Sequence, residues 1–358
     1  MSTLTTWAIP GPAGTPFQIS AGGNFVSFTA GGSYVGMLDP VANHITQWHV
    51  PYTMTSPGDI LNHNGQIWLT NLGSLPETIV RVDPAANTAI SWPLPPAFPG
   101  GPRHLAFDRL GNVLFTAASS LAARAVGMLH AATNGLRMWS LPAAVATTSD
   151  WIEAIAYDPV HQKIYANVQG STTNSLVQLD PGTGTLTSWS VAPSHTFASV
   201  AVDAAGDVFF LGTDSSWRNI VARLEPSANK LTEWTIPSPN VNEFLALDQA
   251  GLPSFTGVFH TPLVGRLNPA VGGVSRSIAP TTVHLRPIEA TSEPVRTSLK
   301  PATTAVAPKV APLAPTISGA FTIWGLPIGN DARAVSTDAS GELYVTMQAA
   351  NSIGRISP

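Results

Sequence analysis

Apolar and polar residues alternate along most of the chain in short runs broken by glycine. LAFDRLGNVLFT (105–116), VAVDAAGDVFFL (200–211) and VSTDASGELYVT (335–346) share one form: an alternating stretch, a Gly turn and a second alternating stretch. Period-two alternation on both sides of a tight turn predicts paired, half-buried β-strands. A second word follows: two or three apolar residues, an acidic or polar residue, then usually Pro. It occurs as GMLDP (Asp39), VRVDP (Asp83), VQLDP (Asp180), ARLEP (Glu225), GRLNP (Asn268) and GRISP (Ser357), with GMLHA (His130) as the outlying copy. Asp-Pro and Asn-Pro start turns, because Pro fixes φ and the short polar side chain bonds nearby backbone.

Downstream of these turns the chain repeats Trp-x-x-Pro at Trp7, Trp48, Trp92, Trp139, Trp234 and Trp324, and Trp-x-x-x-Pro at Trp189. The intervals are 41, 44, 47, 50, 45 and 90 residues, the doubled one containing VSRSIAP with Ser277 in the Trp slot. A Trp recurring at one position packs between neighbouring sheets more readily than it forms a carbohydrate-binding series. Each period reads as strand, Gly turn, strand, loop, strand, Asp-Pro turn, strand. That is the unit of a propeller. The prediction is an all-β chain: a seven-bladed β-propeller of four-stranded antiparallel blades. It starts on an outer-strand word, LTTWAIP, and ends on a third-strand word, SIGRISP, so the N-terminal strand is expected to complete the C-terminal blade. An open β-solenoid would not need such complementary ends.

Residues 281–318 break the period. They lack the Gly turn and the Asp-Pro word and carry Pro at close intervals, which removes ladder donors. The expected organisation is blades one to six plus the closing strand in 1–280, an exposed Pro/Thr/Ala-rich insertion or linker in 281–318, and the final blade in 319–358. A decayed eighth blade in the insertion is the other reading. Either VSRSIAP or AFTIWGLP then forms the outer strand of blade six.

Composition agrees with short strands and tight turns. Of 358 residues only 11% are charged, against 30 Gly and 32 Pro. The longest apolar stretches fall short of the ~18 residues of a membrane span. A net charge of −4 with scattered Lys and Arg gives no footprint for nucleic acid. Without Cys there are no disulfides, zinc–thiolate sites or Cys nucleophiles. No secretory signal is visible. The low charge and missing Cys lean towards an extracytoplasmic or assembly-embedded protein.

The words GQIWLT (65–70), GNVLFT (111–116), IGRISP (353–358) and the Trp-x-[Leu/Ile/Val]-Pro strands resemble the streptogramin B lyase (virginiamycin B lyase) family of seven-bladed propellers. The likeness spans almost the whole chain except 281–318; similar repeats occur in NHL-type binding propellers. The resemblance implies opening of a cyclic depsipeptide by elimination at its ester linkage, with a magnesium ion and a His/Glu pair within one blade. The equivalent positions, fourteen residues apart, are Arg103/Ala117, Glu153/Asn167, Ala198/Gly212, Glu243/Gly257 and Arg333/Met347. None is a His/Glu pair, and His104 lies one position off.

Residues before the innermost strand and after the second strand of each blade are expected at the channel mouth. They give Glu153, Glu243 and His104 as catalytic candidates, Arg103, Arg333, Trp151 and His63 as ligand-binding candidates, and Asp59, Asn71 and Asn167 as metal-ligating candidates. Carboxylate and amide oxygens suit magnesium or calcium, and such positions resemble those of calcium-dependent lactonase and gluconolactonase propellers. Two functions follow. The first is a binding, scaffold or interaction propeller taking a small-molecule or protein ligand at the mouth. The second is a metal-dependent lyase, or a lactonase or esterase, with its active site there.

Overall fold

The turns are held by their acidic residues. In the third repeat Gly101–Phe107 and Val113–Ser119 pair antiparallel, and Asp108 Oδ1 accepts the N–H of Leu110 and of Asn112, both at 2.8 Å. Asp203, Asp248 and Asp338 do the same in later repeats. In the Asp-Pro words, Asp39 accepts from Val41 and Ala42, and Asp83 from Ala85 and Ala86. The glycines of the third strands have a packing cause: a Cβ on Gly36, Gly127 or Gly265 would meet the ring of Phe28, Phe115 or Phe255 at 2.1–2.3 Å.

The computed structural model describes residues 2–11, 14–31, 33–50, 57–71, 77–96, 101–119, 122–146, 150–152, 154–170, 174–191, 197–214, 216–238, 244–257, 262–327 and 332–357. They form seven antiparallel sheets arranged as the blades of a propeller. From channel to rim, blade one runs Pro16–Gly22, Phe25–Ala30, Tyr34–Asp39 and His44–His49. Blade seven joins Ala332–Thr337, Leu343–Met347 and Ser352–Ser357 to the N-terminal Ser2–Ala8, with Trp7 opposite Ile353. In blade six Phe321–Gly325, not the VSRSIAP copy, is the fourth strand. The cores lie between blades: Trp48, Ile60, Leu69 and Val80 fill one cleft, and Trp139, Val145, Ile155 and Ile164 another.

The blades have five strands, where the sequence predicts four. The fifth strands come from the segment expected to be an excursion or a decayed blade. Leaving blade six after its third strand, the chain winds once round the rim against the blade order and adds one antiparallel strand to each sheet. Val274–Ser277 pairs with Lys230–Thr235 of blade five, Pro280–His284 with Thr185–Val191 of blade four and Ile288–Thr291 with Gly135–Ser140 of blade three. Val295–Ser298 follows on Thr88–Pro93 of blade two, Pro301–Ala305 on His44–His49 of blade one and Lys309–Leu313 on Ser2–Ala8 of blade seven. Pro315–Ser318 then pairs with Phe321–Gly325, returning the chain to blade six.

Proline does not prevent this, because the outer edge of an edge strand needs no donor. The prolines are in fact periodic: Pro280, Pro287, Pro294, Pro301, Pro308 and Pro315 fall every seventh residue, one at or just before each belt strand from blade four to blade six. The matching anchors are Ile278, Leu285, Ser292, Leu299, Val306 and Leu313, which pack at the outer ends of the clefts between blades. Ser292 instead donates its hydroxyl to the Pro93 carbonyl at 2.7 Å.

The receptor for five of these anchors, all but Leu313, is the turn between the third and fourth strands of a blade; Leu313 stands opposite Ser2 in blade seven. Asn43, Asn87, Asn134 and Asn229 sit there at φ 55°, 51°, 58° and 49°, a region Asn tolerates better than most residues. Their backbone carbonyls accept the N–H of Val306, Leu299, Ser292 and Ile278 at 2.7–2.9 Å. Their side-chain oxygens accept the indole N–H of Trp7, Trp48, Trp92 and Trp189, each from the preceding blade, at 2.8–2.9 Å. Blade four has Gly184 instead. Its carbonyl still takes the Leu285 N–H at 2.7 Å, but Trp139 Nε1 is buried without a partner.

Asn87→Gly, which keeps the belt bond and loses the indole bond, is expected to cost about 1 kcal/mol in urea unfolding. Asn87→Ala should cost about 1 kcal/mol more, because Ala resists positive φ. Leu299→Ala is expected to cost about 2–3 kcal/mol and to speed proteolysis within 281–318 relative to the rest of the chain.

Candidate functional site

Five of the second strands carry a threonine that builds the inner ring. Thr29, Thr70, Thr116 and Thr346 accept the N–H of Gln18, Asp59, His104 and Ala334 at 3.0–3.2 Å, where the innermost strand bulges away from its ladder. Thr70, Thr256 and Thr346 donate onward to the carbonyls of Arg103, Arg333 and Phe17 in the next blade, at 2.8–3.1 Å. The "F-T" of the repeat is therefore a seam between blades. Asn167 occupies this threonine slot in blade four and is fully buried, as is Asn71 one position past the slot in blade two.

On the axis the innermost strands enclose a cavity of about 190 Å³, lined among others by Gln18, Ser20, Asp59, His104, Ser199 and Ser336. Asp59 spends both carboxylate oxygens on backbone: Oδ1 accepts the Ile60 N–H and Oδ2 the Leu105 N–H of the next blade, both at 2.8 Å. Ser199 makes the equivalent tie, its Oγ accepting the Leu245 N–H at 3.2 Å. Burial pushes the Asp59 carboxyl up to about 7 against the pull of those two N–H groups. Burial, together with the Arg103 charge, pushes the His104 imidazole down to about 4. His104 Nδ1 stands 4.0 Å from Asp59 Oδ2, too far for a hydrogen bond. Near pH 7 the imidazole is neutral and the carboxyl is in mid-titration, so the two do not form a charged acid–base pair.

The rim of the mouth holds a second group. Arg103 lies with its guanidinium carbon 4.7 Å from the ring centre of Trp151, and Arg124 approaches the same ring at 5.9 Å. Trp151 is 46% exposed, and its backbone bridges to Gln169 through two bonds of 2.7 Å. Arg124 donates from Nε to the Asp150 carbonyl. Arg333 stacks on Phe17 at 5.1 Å.

His63 is not part of the mouth. Pro57 pairs with Asn71 at one end of the innermost strand of blade two, and His63 pairs with Gln66 at the other. There His63 stacks on Phe107, ring centres 4.1 Å apart. Glu153 and Glu243 lie outside the described residues. Among the described residues no three His, Cys, Asp or Glu side chains come together as a metal-binding group. The sequence reading passed over Arg124 and Glu77, which carry no motif. It also passed over the turn asparagines, although Asn recurs four residues after Asp39, Asp83, His130 and Glu225.

No family model and no curated protein matches the sequence. Solved structures match the fold. The chain is similar to a structure of streptogramin B lyase, with a TM-score of 0.69 at 15% identity, covering 100% of this chain and 98% of that one. It is similar to YCF48 bound to a D1 peptide (TM-score 0.61, 10% identity, 98% and 97% covered). It is also similar to the Cps50 (Swd1) propeller domain of Myceliophteria thermophila (TM-score 0.55, 9% identity, 98% of each chain covered). At such identities the likeness is one of fold, and the resemblance to the lyases is a distant structural one.

Proposed function

We propose that this chain is a binding and scaffold propeller that takes a small-molecule or protein ligand at its channel mouth. One observation carries the reading: the Asp–His pair on the channel axis, Asp59 and His104, is committed to structure. Asp59 ties two blades through backbone N–H groups, and the imidazole beside it is neutral and 4.0 Å away. A general base must reach a substrate proton, whereas each Asp59 oxygen already accepts a backbone N–H that fixes the carboxyl in the channel wall. What the mouth offers a ligand is the Arg103–Trp151 pair. The fold also has a peptide-bound representative in YCF48.

The expected outcome with p-nitrophenyl acetate, a γ-lactone or a cyclic depsipeptide, with or without millimolar magnesium or calcium, is no saturable turnover. Saturable, metal-dependent turnover that disappears in His104→Ala would instead establish the lyase or hydrolase reading, with Glu153 and Glu243 as its remaining carboxylates.

A structural role for the pair also sets a pH signature. The Asp59 pKa is raised on folding, so its contribution is intact below about 4 and is lost as pH rises towards 7. The His104 pKa is lowered, so its contribution is intact above 6.5 and is lost as pH falls towards 4. Relative to the parent protein, Asp59→Asn is therefore expected to gain stability between pH 4 and pH 7, on the order of 4 kcal/mol at most, on top of a constant loss from the missing acceptor. Urea unfolding at several pH values measures this.

A further inference from the structure

Resting on the binding reading, we propose that Arg103 and Trp151 form a recognition site for a singly charged carboxylate whose flat apolar part lies against the Trp151 ring. Among the described residues the Arg103 side chain makes no hydrogen bond and no ion pair, and its Nε is buried without a partner. A guanidinium carries five donors in a planar fork that matches a carboxylate, and leaving them unused beside a buried Nε is costly unless a ligand engages them.

The fork is also held in place. Thr70 of blade two donates to the Arg103 carbonyl at 2.8 Å, and the Trp151 ring supports the guanidinium at 4.7 Å. Trp151 is itself fixed by two backbone bonds to Gln169. Its ring, 46% exposed, leaves apolar surface beside the fork. Residues next to a stacked Arg that also expose an aromatic face select ligands that are charged at one end and flat at the other.

Local charge favours a monoanion over a dianion. Arg124 is paired electrostatically with Asp150 and bonded to its carbonyl. Glu77 feels the Arg103 charge but forms no ion pair with it, and burial pushes its carboxyl up. His104, next in the chain, is neutral near pH 7. Among the described residues, Arg103 is thus a rim cation whose side chain has no hydrogen-bonded or ion-paired carboxylate.

The test titrates the full-length protein by calorimetry with benzoate and with N-acetylphenylalanine, each against its own amide, and with inorganic phosphate. The expected result is binding of the acids and not of the amides, with phosphate weaker. Tighter N-acetylphenylalanine identifies a peptide C-terminus as the source of the carboxylate, and tighter benzoate a small free acid. Arg103→Gln should weaken the acids about tenfold or more, Arg103→Lys less, and Trp151→Leu should weaken benzoate more than it weakens acetate, titrated as a carboxylate without a flat part. Matching thermal unfolding of Arg103→Lys and the parent protein checks that the variant folds. Equal binding of acid and amide, no binding at millimolar concentration, affinity unchanged in Arg103→Gln, or phosphate binding tighter than both acids would overturn the proposal. None of these outcomes bears on turnover, so the binding reading stands or falls separately.

Discussion

One hydrogen-bonded junction recurs round the molecule: an asparagine in left-handed conformation that joins three segments at once. Its side chain takes the indole N–H of the preceding blade and its carbonyl takes a belt N–H, while its own turn connects two strands of its blade. The junction fixes the spacing of neighbouring sheets and the register of the belt together. A seven-residue belt period follows from it, since each step must carry the chain from one such turn to the next. Where the asparagine is absent, at Gly184, the belt bond survives and the indole bond does not, so the two connections are separable. A Cβ at Gly184 would stand 2.2 Å from the Leu285 carbonyl oxygen, so there the belt sits closer to the turn than a side chain allows.

The inner ring is built on the same economy. Threonine hydroxyls, Asp59 and Ser199 each satisfy a backbone group left over by a bulge in the innermost strand or by the step to the next blade. Burying those N–H groups without partners would be costly, so polar residues concentrate on the axis for structural reasons. Among the described residues, the polarity of the channel lining thus has a structural cause. Outward at the rim, Thr70 holds the Arg103 backbone while the Arg103 guanidinium lies over the Trp151 ring.

The blade count, the closing strand and the inter-sheet role of the tryptophans were legible in the sequence, because each rests on a residue type with one dominant use: Gly for tight turns, Asp before Pro for turn capping, Trp for a wide cleft. The fifth strands were not legible from local propensity. Belt strands of four or five residues, rich in Pro and Thr and facing solvent, carry no alternating pattern, since neither sheet face is deeply buried there. Their signal lies in the period of Pro280 to Pro315, which is informative only once the outer turns that receive the belt are in view. The candidate site was legible in part. The sequence places Arg103, Trp151, Asp59 and His104 near the axis or rim, but it places His63 at the mouth as well. Only the antiparallel register puts it at the face away from Asn71. Whether a carboxylate is free or spent on backbone N–H groups, as at Asp59, depends on distances that no spacing encodes.

The first strand of the chain ends up enclosed. Ser2–Ala8 lies between Ser352–Ser357 on one side and Lys309–Leu313 on the other, both made roughly three hundred residues later. On the ribosome this strand therefore emerges long before either neighbour exists, while the belt reaches blades five to one after those sheets have been synthesised and before blade seven has. The order of synthesis is thus blades one to five, then the hoop, then the last blade, and Ser2–Ala8 waits about three hundred residues for its first neighbour, Lys309–Leu313.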